Sequence, residues 1–177
     1  MSAQPTLTTQ RLVLRPFTFA DAPAVEALAG LREVADTTLN IPHPYPKGGA
    51  AVWIATHPVA WDSGTGVVFA ILHEGELCGV IDIVRDVRHQ SGELGYWIAP
   101  ADWGKGFATE AVVEMIRFGF EDLGLHRIHA AHFTRNPASG RVMAKAGMKF
   151  EGINRGLYQK NGVFEDAARY AAVRGDP

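Results

Sequence analysis

Cysteine is almost missing from this 177-residue chain. The one thiol, Cys78, excludes an internal disulfide framework and a cysteine-based zinc site. It lies in an apolar stretch, where the expected role is that of a small buried hydrophobe and not of a nucleophile. Long apolar runs are also lacking, and none approaches the ~20 residues that cross a bilayer. The N-terminus has no basic start followed by an apolar core, so no secretory signal is expected. There is no excess of basic charge: 17 Lys+Arg stand against 19 Asp+Glu, a net charge of −2. That balance argues against a nucleic-acid partner. Internal repeats, low-complexity tracts and charge blocks are absent. These absences lead us to expect a cytoplasmic protein in a reducing compartment, with one domain over residues 1–177. Its 47% hydrophobic content excludes intrinsic disorder.

Glycine and proline, by contrast, are plentiful, at 19 and 10 residues. Their places punctuate a readable pattern. Residues 11–15 alternate as a half-buried strand, and helix-cap chemistry at Thr18 to Asp21 precedes an apolar-periodic helix over 22–31. A second helix is expected over 49–61. Strands follow at 67–72, 77–84 and 93–98, the first two joined by a hairpin turn at 73–76. The helix over 107–123 carries Glu110, Glu114, Arg117 and Glu121 on a single polar stripe, and Gly124 ends it. A strand at 127–133 leads to Asn136-Pro137, an N-cap residue with proline at the first helical position. That helix closes at Gly147. A terminal hairpin over 152–159 and 163–173 turns at Lys160-Asn161-Gly162. Meander strands with one strand–helix–strand crossover describe a mixed α/β sheet, not a doubly wound one.

The most informative stretch is the turn between strand 93–98 and helix 107–123. Gly104, Gly106 and Ala108 lack bulk, so backbone N–H groups there can approach a ligand closely. Together with the helix dipole they suit a phosphate or pyrophosphate. Spacing alone leaves a plain strand-to-helix turn equally open. The Walker pattern is not met, because Gly104-Lys105 is followed by Gly106-Phe107 and not by Ser or Thr. The dinucleotide fingerprint fits at Gly104 and Gly106 but has Thr109 at its third glycine, and its acidic residue about 20 positions on is missing, position 126 being His126, so the match is weak. A metal reading of His126, His129 and His132 is declined, because His129 and His132 point to opposite faces of a strand.

The segment Trp103-Gly104-Lys105-Gly106-Phe107-Ala108-Thr109-Glu110-Ala111 resembles the acetyl-CoA pyrophosphate loop of the GNAT N-acetyltransferase superfamily, and its RimJ/RimL-type branch most of all. Similar support comes from Leu12-Val13-Leu14-Arg15-Pro16, Glu93-Leu94-Gly95-Tyr96-Trp97-Ile98 and Asn136-Pro137-Ala138-Ser139. The stretches 145–152 and 161–166 add to it, so the likeness covers nearly the whole chain in order. It implies a central mixed, mostly antiparallel twisted sheet of about six to seven strands, flanked by about four helices. It also implies acetyl-CoA as co-substrate, no metal, and direct transfer to an amine in a ternary complex. The amine would be a protein N-terminus or a small molecule, and a homodimer is a family-level expectation. An inert acyl-CoA-binding module, or a structural protein without a CoA site, is the alternative.

The resemblance also implies roles for residues. Ile98, Trp103, Gly104, Lys105, Gly106, Phe107, Ala108, Thr109, Asn136 and Ser139 would hold the cofactor, with Lys105 facing the phosphates. Glu93 would be the base, acting directly or through water. Ser139 would meet the leaving thiolate, because a free serine is a poor acid but a sound hydrogen-bond donor. Many relatives place a tyrosine for this task where the present chain has Met143. Tyr45, Trp53 and Trp61, beside the proline-rich segment 42–50, are candidates to line the acceptor pocket, with core packing as the competing role.

Overall fold

The computed structural model describes residues 3–176. Met1, Ser2 and Pro177, the ends of the expected 1–177 domain, lie outside the described residues. One eight-stranded sheet carries the molecule. In spatial order it runs β1 (Leu7–Thr8), β2 (Leu12–Arg15), β3 (Gly66–His73), β4 (Glu76–Asp86), β5 (Ser91–Ile98), β6 (Arg127–Phe133), β8 (Val163–Val173) and β7 (Lys149–Lys160). All neighbours are antiparallel except β5 and β6, which run parallel. The hairpins turn where the backbone must go left-handed. Glu74 and Gly75 have φ of 52° and 87°, and Asn161 and Gly162 have 52° and 82°, the double positive φ that matches strand twist in a two-residue turn.

Among the described residues six α-helices accompany the sheet: α1 (Ala22–Ala29), α2 (Arg32–Thr37), α3 (Gly49–Ile54), α4 (His57–Ser63), α5 (Phe107–Glu121) and α6 (Pro137–Lys145). The strand and helix counts exceed the expected ones for simple reasons. Strand β1 is two residues long and too short to show alternation. Helix α2 is six residues and carries no cap bond that would announce it. The expected helix over 49–61 is two helices, because Pro58 near the start of α4 cannot donate to the preceding turn.

The main core lies between the sheet and α5. Phe107, Ala111, Met115 and Phe118 recur at helical spacing and meet Phe69, Ile81, Ile83, Leu94 and Ile128. Gly119 permits close approach, since a Cβ there would stand 2.5 Å from Ile128 Cδ1. A second cluster, Ala22, Val25, Ala29, Ala50 and Ile54, packs α1 and α3 together and touches the sheet through Leu77 and Trp97. Trp97 and Leu94 alternate on β5, so the two clusters occupy opposite faces of the sheet.

Candidate active site

The parallel pair β5–β6 is joined over three residues only: Ser91 with Arg127, Gly92 with Ile128 and Glu93 with His129. Beyond Glu93 the strands separate, while β5 stays paired to β4 as far as Ile98. The phase of that pairing follows from the Ala99 N–H bond to the Cys78 carbonyl, 2.8 Å. Antiparallel alternation then turns the backbone groups of Leu94, Tyr96 and Ile98 away from β4 and into the opening. These groups are the backbone edge a bound extended arm could pair with. The Ile98 carbonyl already accepts from Trp103 Nε1 at 2.7 Å, so the indole closes one end of that edge.

At the mouth of the opening stands the glycine turn. Gly104 and Gly106 have φ of 78° and 84°, values that only glycine adopts without strain. Gly106 caps α5 and offers no side chain, and no side-chain bond satisfies the first turn of the helix. The first intrahelical bond comes from the Glu110 N–H to the Gly106 carbonyl. The preceding N–H groups, those of Phe107, Ala108 and Thr109, therefore face outward at the positive end of a 15-residue helix. Lys105 stands beside this cradle, its Nζ 5.9 Å from the centre of the Phe107 ring. Its Nζ pairs with Asp102 Oδ1 at 2.8 Å on the surface, a bond worth at most about 1 kcal/mol and readily exchanged for a phosphate.

What holds the turn was not legible in the sequence. Arg11 Nη1 donates to the Lys105 carbonyl at 2.9 Å, and its guanidinium lies 4.9 Å from the centre of the Phe107 ring. Glu110 secures the other side of Arg11 through Nε, Nη2 and the backbone N–H, and accepts from Thr9 Oγ1 at 2.6 Å. Glu110 is thus a structural clamp and not part of a solvated stripe. The rest of that stripe is as expected, with Arg117 paired to Glu114 and Glu121.

On the face of β5 that meets α5 and α6, Tyr96 and Ser139 bridge the two sides of the opening. The Tyr96 hydroxyl lies 2.7 Å from Ser139 Oγ and 3.1 Å from the Ser139 carbonyl. Burial pushes the phenol up to about 12, and the Ser139 bond offsets part of that rise. Gly140 lets α6 sit close on β6 and β8, because a Cβ there would meet His132 Nε2 at 2.6 Å and Tyr170 Oη at 3.3 Å. Asn136 stands at the N-cap of α6 without a side-chain capping bond, and among the described residues its side-chain amide has no hydrogen-bond partner. Met143, 1% exposed, faces the core and not the opening.

Glu93 occupies the opposite face, exposed at the end of the three-residue pairing. A cleft of about 160 Å³ beside it is lined by Val84, Arg85, Asp86, Ser91 and His129. Arg169 Nη2 lies 3.3 Å from His129 Nδ1; an arginine only donates, so that nitrogen accepts. Burial lowers the His129 pKa, against an opposing pull from Glu93. Asp82, two residues from Glu93 along the sheet, is the carboxylate that sequence reading missed. Burial, then the charge of Glu93, raises it to about 7. Its Oδ1 would be 2.8 Å from a Cβ at Gly95, so glycine at 95 leaves room for it.

The aromatic candidates are divided. Tyr45 and Trp53 are half-buried against the α1–α3 cluster. Trp53 meets Phe17 and His57 edge-on at 5.3 and 4.3 Å. Trp61 packs on the main core. Cys78 is 3% exposed, donates to the Ile71 carbonyl at 3.4 Å and is raised by burial to about 11, an unreactive thiol. Among the described residues no group of three or more His, Cys, Asp or Glu side chains could hold a metal ion, and no helix is long and apolar enough to cross a membrane.

Residues 11–149 match the family described as acetyltransferase (GNAT) domain. The chain is 34% identical over 173 residues to the uncharacterized N-acetyltransferase YoaA of Bacillus subtilis (strain 168), covering 96% of this chain and 97% of that protein. It is 28% identical to the ribosomal-protein-serine acetyltransferase of Escherichia coli (strain K12), over 62% of each chain. The fold matches that of Mycobacterium smegmatis RimJ in complex with CoA-disulfide, with a TM-score of 0.86 at 24% identity, over 96% of this chain and 87% of that one.

Proposed function

Because the chain belongs to the GNAT acetyltransferase family, we propose that it moves the acetyl group of acetyl-CoA directly to a protein N-terminal amine, within a ternary complex. The whole chain then acts as one transferase domain, in the cytoplasm that its lone buried thiol suits. The observation that carries the reading is the β5–β6 opening, with a glycine cradle at its mouth and different chemistry on its two faces. The cradle N–H groups hold the pyrophosphate, with Trp103, Lys105 and Thr109 around it. Asn136 and the β5 edge hold the pantetheine arm, with the Ile98 N–H as the last donor, its carbonyl being held by Trp103.

The roles then separate in space. An amine reaches the thioester from the Glu93 face, where the carboxylate accepts a proton from the nitrogen, directly or through water. The nitrogen forms a bond to the carbonyl carbon and the carbon–sulfur bond breaks. The electron pair leaves on sulfur, on the side of Ser139, whose hydroxyl donates to it. The proton shed by nitrogen balances the one that the CoA thiol gains. A relative named for acetylating ribosomal-protein serine supports a protein acceptor. Tyr45 and Trp53, packed beside Trp97, would shape that side of the site from within the core.

Thiol release from acetyl-CoA, measured with N-terminal peptides and small amines, tests the reading. At least one peptide is expected to accelerate release, and Glu93→Gln to lower kcat roughly 100-fold or more with CoA binding unchanged by calorimetry. Tight CoA binding with no acceleration by any amine, and no effect of Glu93→Gln, identifies an inert binding module instead. Acceleration by small amines alone replaces the protein acceptor with a small molecule.

A further inference from the structure

Tyr96 and Ser139 are 43 residues apart and belong to different layers, one on β5 and the other in the first turn of α6. Nothing in local structure requires their contact. A serine hydroxyl carries one hydrogen on a freely turning bond, and in a helix it commonly gives that hydrogen to a carbonyl one turn back. Here a rigid phenol sits 2.7 Å from Ser139 Oγ, across the layer between β5 and α6. We propose that Tyr96 is the positioning residue for departure of the thiolate: its hydroxyl donates to Ser139 Oγ and so directs the serine hydrogen to the sulfur. The proposal rests on the transferase reading above and adds to it the part that Met143 cannot supply.

The pair orients a donor and does not relay a proton. A phenol held at about 12 is roughly a thousandfold or more weaker an acid than an ordinary thiol near 8.5. Tyr96 and Ser139 therefore keep their protons while the carbon–sulfur bond breaks, and the thiolate collects its proton from the one that the nitrogen sheds. The phenol has one hydrogen and two acceptors within reach, the Ser139 carbonyl at 3.1 Å and Ser139 Oγ at 2.7 Å, and when the carbonyl takes it the serine hydroxyl donates to the phenol oxygen instead. A thiolate beside Ser139 draws the serine hydrogen to sulfur, and the phenol hydrogen then goes to Oγ; both contacts are lost when the phenol oxygen is removed.

The test is a double-mutant cycle on the full chain, read by thiol release with the best amine from the panel. Tyr96→Phe keeps the ring that packs on the core and removes only the oxygen. It is expected to lower kcat about tenfold, with the KM for acetyl-CoA within about twofold and the thermal midpoint little changed. In a Ser139→Ala background the same substitution is expected to change nothing further. Equal losses in both backgrounds, a rise in KM with kcat unchanged, or wild-type kcat in Tyr96→Phe each overturn the proposal. A wild-type protein that releases no thiol with any amine overturns the transferase reading and this one together. An active wild type with an unaffected Tyr96→Phe overturns this one alone. If Tyr96→Phe lowers the midpoint, Ser139→Ala alone still reports: its kcat should fall at least as far as that of Tyr96→Phe.

Discussion

Arg11 reaches from the turn between β1 and β2 to the carbonyl of Lys105, 2.9 Å away, and so ties the first strands of the chain to the glycine turn 94 residues later. Glu110 holds the same guanidinium by both of its other nitrogens. Arg11→Ala releases the turn while leaving Gly104 and Gly106 in place. Steady-state thiol release should show the KM for acetyl-CoA rising several-fold, with a smaller change in kcat. Arg11→Lys should rescue little of this, because an ammonium cannot make the forked contact. An unchanged KM in Arg11→Ala would mean that the turn holds its shape without the clamp.

Gly106 combines a left-handed backbone with the N-cap of α5. Gly106→Ala adds a side chain where φ is 84°, at a cost of about 1–2 kcal/mol. The new Cβ also stands 3.4 Å from Arg11 Nη2. Relaxation of φ would swing the Phe107 and Ala108 N–H groups out of line with the phosphates. Calorimetry should therefore show CoA binding weakened about tenfold or more, well beyond the loss in unfolding stability. Equal affinity for CoA would remove the cradle from the binding site.

Elements held by repeated local signals were legible before any coordinates. The strand over Arg127–Phe133 and the helix from Phe107 have the boundaries that alternation and apolar spacing give them. The turn at Gly104–Gly106 is where its glycines put it. Relationships between distant residues were not legible. Nothing near Glu110 announces Arg11, and nothing near Tyr96 announces Ser139, because each pair is made by packing and not by spacing. Asp82 looked like one more polar residue in a strand, and only burial on a crowded sheet face distinguishes it. Strand β7 began three residues earlier than its pattern suggested, because an edge strand with bulges after Phe150 and Asn154 keeps no strict alternation.

Asp82 makes stability depend on pH in an unusual direction. Its folded pKa of about 7 lies above the ordinary value of 3.8, so the folded state holds the proton longer than the unfolded one. Stability therefore falls as pH rises from about 4 to about 7, and the cost is complete above that. Asp82→Asn should remove this slope and raise stability at pH 8 by up to a few kcal/mol, read by urea unfolding at pH 5 and 8. A gain of equal size at both pH values would refute the assignment.

His57 works against it. Its ring is buried against Phe17 and Trp53, and neither nitrogen has a partner among the described residues. Burial lowers it to about 4. The unfolded chain takes up a proton near 6.5 that the folded chain refuses, so stability is lost as pH falls from about 6.5 to about 4. The two slopes oppose one another across the same range. Asp82→Asn should expose the histidine slope there, and His57→Phe should expose the aspartate slope. Parallel unfolding curves for the two variants across pH 4–7 would show that neither group titrates as its burial requires.

The three-residue seam between β5 and β6 has a mechanical consequence. Two half-sheets share one short hinge, and its pin is Gly92, where a Cβ would press 2.6 Å from Ile83 Cγ2 and 3.0 Å from Leu125 Cδ1. Without anything between them, the jaws are restrained by α5 and α6 beneath, by the Tyr96–Ser139 bridge and by Lys160, whose Nζ donates across to the Leu39 and Ile41 carbonyls. An arm that slides in and pairs with Leu94, Tyr96 and Ile98 acts as a splint, stitching together halves that the chain leaves apart. Under the proposed transfer the co-substrate would then also be a structural member: consumed at each turnover as an acyl donor, it would complete the sheet between arrival and departure.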